Sequence, residues 1–269
     1  MNKMKAKTIL TTILILLASL QLSAQKVKYP ETPVFQNPGA PGLREVYYSQ
    51  DDTDIHNFLY SYDLIYRIPY CVAYMLQPHQ LKISNSTHYS SDWYYDNAIT
   101  YSYQSADWAS HLPYVRYSLI PITHRNTPES MRQTRMRTLT VPADPYVVQY
   151  LLTPLDSAIR SWASRSDILY ISAGTIQGPQ TLTDNEGHII HVPRSIYKVV
   201  VRRNGNQYSG VAFLIPNYKP QSDSDLRAYA LPIGQLEDQL KIRFFSGLPA
   251  DVLRDVRSQN PLENPWWWR

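Results

Sequence analysis

Along TPLDSAIRSWASRS, residues 153–166, the apolar positions Leu155, Ile159 and Trp162 recur at the spacing of one helical face. Asp156 and Arg160 fall four apart on an adjoining face, within reach of a helix-surface ion pair. The period then changes. DILYISAGTI is a continuous apolar and β-branched run that predicts a buried strand, ended by Gly174. In IYKVVVRRNGNQYSGVAFLIPN two β-rich runs flank an Asn-Gly turn, the local signature of a hairpin. LPIGQLEDQLKIRFF sets Leu231, Leu236 and Leu240 among polar residues, predicting a short helix that leads to an aromatic anchor, Phe244 and Phe245.

Upstream, HNFLYSYDLIYRIPYCVAYML alternates and is broken by Pro69, which predicts two short strands joined by a turn. The Ser, Tyr, Asn and Asp composition from His79 to Tyr101 predicts surface loop and an edge strand. KVKYPETPVFQNPGAPGL, with four prolines and two glycines, reads as an extended lead-in ahead of the core. Strands, helix, strands and helix in that order argue for an α+β domain with a mainly antiparallel central sheet flanked by helices. There is no internal repeat.

The first residues alter the count of charges. Lys3, Lys5 and Lys7 precede an apolar run from Ile9 to Leu20 and a small, polar stretch ending at Ala24, the plan of a cleaved export leader. The expected organisation is a leader over 1–24, a lead-in over 25–50, a domain over 51–250 and a tail over 251–269 carrying a tryptophan cluster. The expected location is the periplasm, the envelope or the extracellular space, with no membrane-spanning segment in the mature chain. The chain has 26 basic and 22 acidic residues, so loss of three leader lysines leaves a near-neutral protein. That balance argues against a generally polybasic nucleic-acid binder. Arg116, Arg125, Arg132, Arg135 and Arg137 do cluster, and a run of this kind reads first as a solvated loop face, then as a phosphate track. The single cysteine, Cys71, lies in an apolar context that favours burial over reactivity.

Four ordered stretches, ILYISAGTI, HVPRSIYKVVV, AFLIPN and IGQLEDQLKIRFFSGLP, resemble the scaffold motifs of the DNA/RNA non-specific endonuclease family over about His56 to Pro249. The resemblance implies a site of the ββα-metal type. In such enzymes the histidine of an Asp-Arg-Gly-His motif is the general base. A downstream asparagine holds a magnesium-like ion, a glutamate orders the metal's waters, and an arginine stabilises the transition state.

Carried over by position, the first motif falls on Trp108, Ala109, Ser110 and His111, which keeps the histidine and loses the arginine and glycine. The second falls on Pro142, Ala143, Val148, Leu152, Asp156 and Arg160, which keeps an acid and the arginine but puts valine at the metal-binding asparagine. The resemblance therefore implies His111 and Arg160 as catalytic residues, with Asp156, Asp144 and Gln149 as the remaining candidates for Mg2+ or Mn2+. An isopropyl group supplies no oxygen ligand, so the expected protein is an exported family member that is inactive or weak and serves in binding or assembly. An active metal-dependent endonuclease is the alternative.

Expected contacts with nucleic acid, or with an envelope or secreted protein partner, are Arg116, Arg132, Arg135, Trp266, Trp267 and Trp268. The alternative for the NPWWWR segment is that it tucks back onto its own domain. His188 and His191 have a spacing seen in metal sites, which Asp184 or Glu186 would complete, but flanking a hairpin is the commoner use of such a pair.

Overall fold

A computed structural model describes residues 29–36, 43–49, 56–82, 92–108, 113–220 and 225–268. The expected leader and the stretch Ala109 to Leu112, which includes His111, lie outside the described residues.

In chain order the strands are β1 (Val34–Phe35), β2 (Leu43–Ser49), β3 (His56–Asp63), β4 (Ile68–Leu76), β5 (Val115–Ser118), β6 (Thr140–Ala143), β7 (Ile168–Thr183), β8 (Ile189–Asn204), β9 (Gln207–Pro216), β10 (Ala230–Leu231) and β11 (Ile242–Arg243). The helices are α1 (Pro128–Gln133), α2 (Pro145–Val147), α3 (Thr153–Ser164), α4 (Ile233–Leu240) and α5 (Ala250–Ser258), with a π-helical segment, Val148–Leu152, joining α2 to α3. A seven-stranded sheet in the order β10-β9-β8-β7-β4-β3-β2 forms the spine, every neighbouring pair antiparallel. This is the α+β architecture that the sequence pattern predicts.

Period-two alternation divides the sheet between two cores. Leu169, Ile171 and Ala173 of β7 and Ile196 and Val200 of β8 join one core with α3 and the β5–β6 pair. Ile168, Tyr170, Tyr197, Val199 and Val201 join the other with α4, α5 and β11. Apolar burial on both faces explains why the central strands read as continuous hydrophobic runs.

Several boundaries move. β7 does not end at Gly174; it runs on to Thr183, because that glycine is a crossing point and not a stop. A Cβ there would lie 2.3 Å from both the Tyr197 hydroxyl and the Tyr70 carbonyl oxygen. The β3–β4 turn falls before Pro69, where Asp63 accepts the N–H groups of Ile65 and Tyr66 at 2.9 Å and Arg67 takes φ 55°. Pro69 sits inside β4, opposite Tyr62 at a register shift, where a missing N–H is tolerated. Around Tyr94 the described residues form a single bridge to Met136 in place of the expected edge strand.

The lead-in is also more than a preamble. β1 pairs with β11, and Phe35 is buried in the second core. The Asn-Gly hairpin forms as predicted, Asn204 opposite Gln207 with Gly205 at φ 57°. The tryptophan segment folds back: Trp267 is 2 % exposed and meets Trp162 edge to face at 4.8 Å. Trp266 stacks under the Arg202 guanidinium at 4.1 Å, and Trp268 donates its indole N–H to the Pro261 carbonyl at 2.9 Å. The expectation that Trp267 meets a partner is therefore corrected, since its ring is core.

Candidate functional site

The antiparallel pair β5–β6, in register from Val115 opposite Ala143 to Ser118 opposite Thr140, feeds directly into the helical run that starts after Asp144. Asp144 is the N-cap of α2, accepting the N–H groups of Tyr146 at 2.8 Å and Val147 at 3.2 Å. Its own N–H donates to Asn217, whose amide also donates to the carbonyls of Pro142 and Pro193, so one side chain ties β6, β8 and the end of β9 together.

The π-helical turn has a local cause. Pro154 has no N–H, and its ring would crowd the Tyr150 carbonyl in a regular α-helix. The wider turn, in which the Thr153 N–H reaches back to the Val148 carbonyl, relieves that crowding. Val148 packs half-buried against the first core, whereas Gln149 is exposed.

One turn into α3, Asp156 is buried among its partners. Lys198 of β8, itself 0 % exposed, donates to one carboxylate oxygen, and Tyr117 of β5 donates to the other at 2.8 Å. Burial pushes the Asp156 pKa up, and Lys198 and Tyr117 act against that rise. Beside it, buried His124 links the Tyr74 hydroxyl at 3.0 Å to the Asp156 carbonyl oxygen at 3.1 Å. Desolvation, with Lys198 next in effect, holds that imidazole well below its ordinary pKa and therefore neutral. The predicted ion pair between Asp156 and Arg160 does not form. Arg160 spends its guanidinium on main-chain carbonyls, Thr123 and, at 2.5 Å, Leu81, so it braces the loops on either side of α3.

Within the arginine run Arg125 and Arg137 are buried, Arg116 and Arg135 are half-buried, and Arg132 is exposed. Arg125 is fully buried, donating to the Asn57 carbonyl at 2.7 Å and the His124 carbonyl at 2.8 Å, and burial pulls its pKa down to about 10. Arg116 donates to Thr140 at 2.8 Å and the Ala106 carbonyl at 2.7 Å while lying 3.9 Å over the Trp108 ring. Burial, with Arg137 beside it, brings its pKa to about 10 as well. Arg116 is therefore a cation locked by internal partners, with its side chain 8 % exposed. Arg135 covers the Trp93 ring at 3.9 Å, and Arg132 pairs with Glu129 at 2.7 Å on α1. Trp93, Arg116, Arg135, Thr153, Asp156 and Ser157 are among the residues lining a cleft of about 320 Å³.

The histidine pair serves the β7–β8 turn. Asp184 accepts N–H groups from Ala106, Glu186 and His188 and the His188 ring nitrogen at 3.1 Å, while His191 stands edge-on to Tyr66 at 4.2 Å. Among the described residues no group of three or more His, Cys, Asp or Glu side chains is gathered where it could hold a metal ion.

Residues 41–251 match the family described as DNA/RNA non-specific endonuclease. The chain belongs to that family. A solved structure with the same fold is the EndoG/EndoGI complex, at 17 % identity and a TM-score of 0.65, covering 80 % of this chain and 90 % of that one. No curated protein matches the chain.

The family is typically dependent on a divalent metal, and β5, β6 and the helical run follow one another in the strand, strand, helix order of a ββα unit. Among the described residues the donor set does not suit the ion. Val148, which the resemblance sets against the family's asparagine, has no ligand atom in its side chain, and Gln149 is exposed beside it. One Asp144 oxygen is committed to a helix cap, and Asp156 faces an internal ammonium. A hard cation needs several converging oxygens, and among the described residues no three His, Cys, Asp or Glu side chains converge in this way. Sequence reasoning found Asp156 but not Lys198, although HVPRSIYKVVV had already placed that lysine in a family motif. An isolated Lys in an apolar strand was the available signal.

Proposed function

We propose that this protein is an exported member of the DNA/RNA non-specific endonuclease family that no longer performs metal-assisted phosphodiester hydrolysis and is retained for binding or assembly. Val148 carries this reading. An aliphatic group at the ion-holding position removes both the Lewis acid's anchor and the positioning of the scissile phosphate, two effects that each contribute several kcal/mol to catalysis. Loss of the motif arginine at Ala109 acts in the same direction. The Lys3, Lys5 and Lys7 leader pattern supports export.

Plasmid nicking by the purified protein with Mg2+ or Mn2+, beside a His111→Ala control, tests the reading. Equal background in both supports it. Turnover that a chelator abolishes and that disappears in the control overturns it and restores the alternative, an endonuclease with His111 as general base.

A further inference from the structure

We propose that a groove beside the start of α2 is a carbohydrate-binding site. The ladder between β7 and β8 pairs Gln177 with Pro193 and resumes only at Thr181 opposite His191, leaving Gly178, Pro179 and Gln180 as a bulge. A Cβ on Gly178 would lie 2.6 Å from the Val192 carbonyl oxygen, so glycine lets the bulge lie close against β8. The bulge, with Tyr114, Asp144, Arg194 and Tyr218, lines a groove of about 330 Å³. That volume lies at the lower end for small-ligand pockets.

The polar atoms of the groove are only half used among the described residues. Asp144 accepts two N–H groups through Oδ1, and no bond falls to Oδ2. Gln180 accepts the Tyr114 hydroxyl at 2.7 Å through Oε1, and its exposed amide N–H groups have no partner among the described residues. The groove thus offers a planar acceptor and a planar donor together, beside the Arg194 side chain. Tyr218 lines it and is 64 % exposed, and on the helical run that follows Asp144 Tyr150 is 45 % exposed. The Tyr146 and Tyr150 rings lie 4.5 Å apart, and Lys219, next to Tyr218, sits 5.1 Å over Tyr146.

This combination fits a sugar. A pyranose ring offers C–H faces to stack on tyrosine and hydroxyls that both donate and accept, matching an unused carboxylate oxygen and an unused amide at once. A nucleic-acid strand would bring phosphate charge towards Asp144, offset in part by Arg194, and would leave the Asp144 acceptor without a donor. An apolar peptide would bury Oδ2 without a partner, at a cost that a hydroxyl guest avoids. The inference stands whether or not the chain hydrolyses phosphodiesters, so its test is separate from the nicking assay.

The test is a screen of the purified protein on an oligosaccharide array, followed by titration with the best-bound glycan, with chitohexaose, with an oligothymidylate and with a proline-rich peptide. The expected result is saturable binding of at least one glycan, weakened about tenfold by Tyr218→Ala and by Gln180→Ala, with Arg132→Ala as an unaffected control. Both positions are surface ones, and unchanged thermal midpoints will show that the variants are folded. Absence of saturable binding across the array, affinity unchanged in both variants, or binding of the oligothymidylate or peptide alone overturns the proposal.

Discussion

Replacing Lys198 with methionine should destabilise the fold by about 3–5 kcal/mol, the usual result of removing one partner of a buried ion pair. The geometry gives a second route to the same figure. Without the ammonium, the Asp156 carboxylate keeps only the Tyr117 hydroxyl, in a setting that already raises its pKa by burial. Holding that carboxyl neutral at pH 7, against an unfolded value near 3.9, costs about 4 kcal/mol at 1.36 kcal/mol per unit. For a chain of this size such a loss lowers Tm by about 8–16 °C.

The sign of the pH dependence is diagnostic. A carboxyl whose folded pKa is raised above its unfolded value favours the fold most below the unfolded pKa, and this contribution is lost as pH rises through the folded pKa. The deficit of Lys198→Met should therefore be small near pH 4 and grow towards pH 7. Adding Asp156→Asn, which keeps an acceptor for Tyr117, should recover most of the deficit at pH 7. Urea denaturation of the two single variants and the double variant at both pH values measures this. A deficit that does not change with pH, or a double variant as unstable as the summed singles, would refute the assignment of Lys198 and Asp156 as a charged pair.

Two more outcomes are expected. Because folded His124 is held neutral well below its ordinary pKa, the unfolded chain takes up its proton first. The stability it contributes is complete above pH about 6.5 and declines as pH falls from there, so His124→Gln should flatten the stability profile below that pH. An identical slope in the variant counts against it. Trp267→Ala, which empties a site in the first core against Trp162, should cost about 3–5 kcal/mol. A denaturation midpoint equal to that of the parent would show that the ring is not core.

What the sequence disclosed depended on how local each determinant is. The β8–β9 hairpin was legible because Asn-Gly between β-rich runs specifies its turn within a few residues. The face of α3 was legible because Leu155, Ile159 and Trp162 carry a helical period. Gly174 misled because a glycine that admits a crossing tyrosine looks in sequence like one that ends a strand. Asp156 and Arg160 looked like partners at helical spacing, but tertiary packing gave the carboxylate a lysine forty-two positions away and the arginine two carbonyls. Arg135 looked solvated because Trp93, which covers it, lies forty-two positions away, and Arg116 because nothing in the local pattern announces that Trp108 folds over it.

The two cores are closed from opposite directions along the chain: Phe35 completes one and Trp267 the other. During synthesis the nascent polypeptide cannot seal its first core until position 267 has left the ribosome, however early the sheet begins to pair. That core therefore gains its full resistance to unfolding only after all the strands that build it have already emerged.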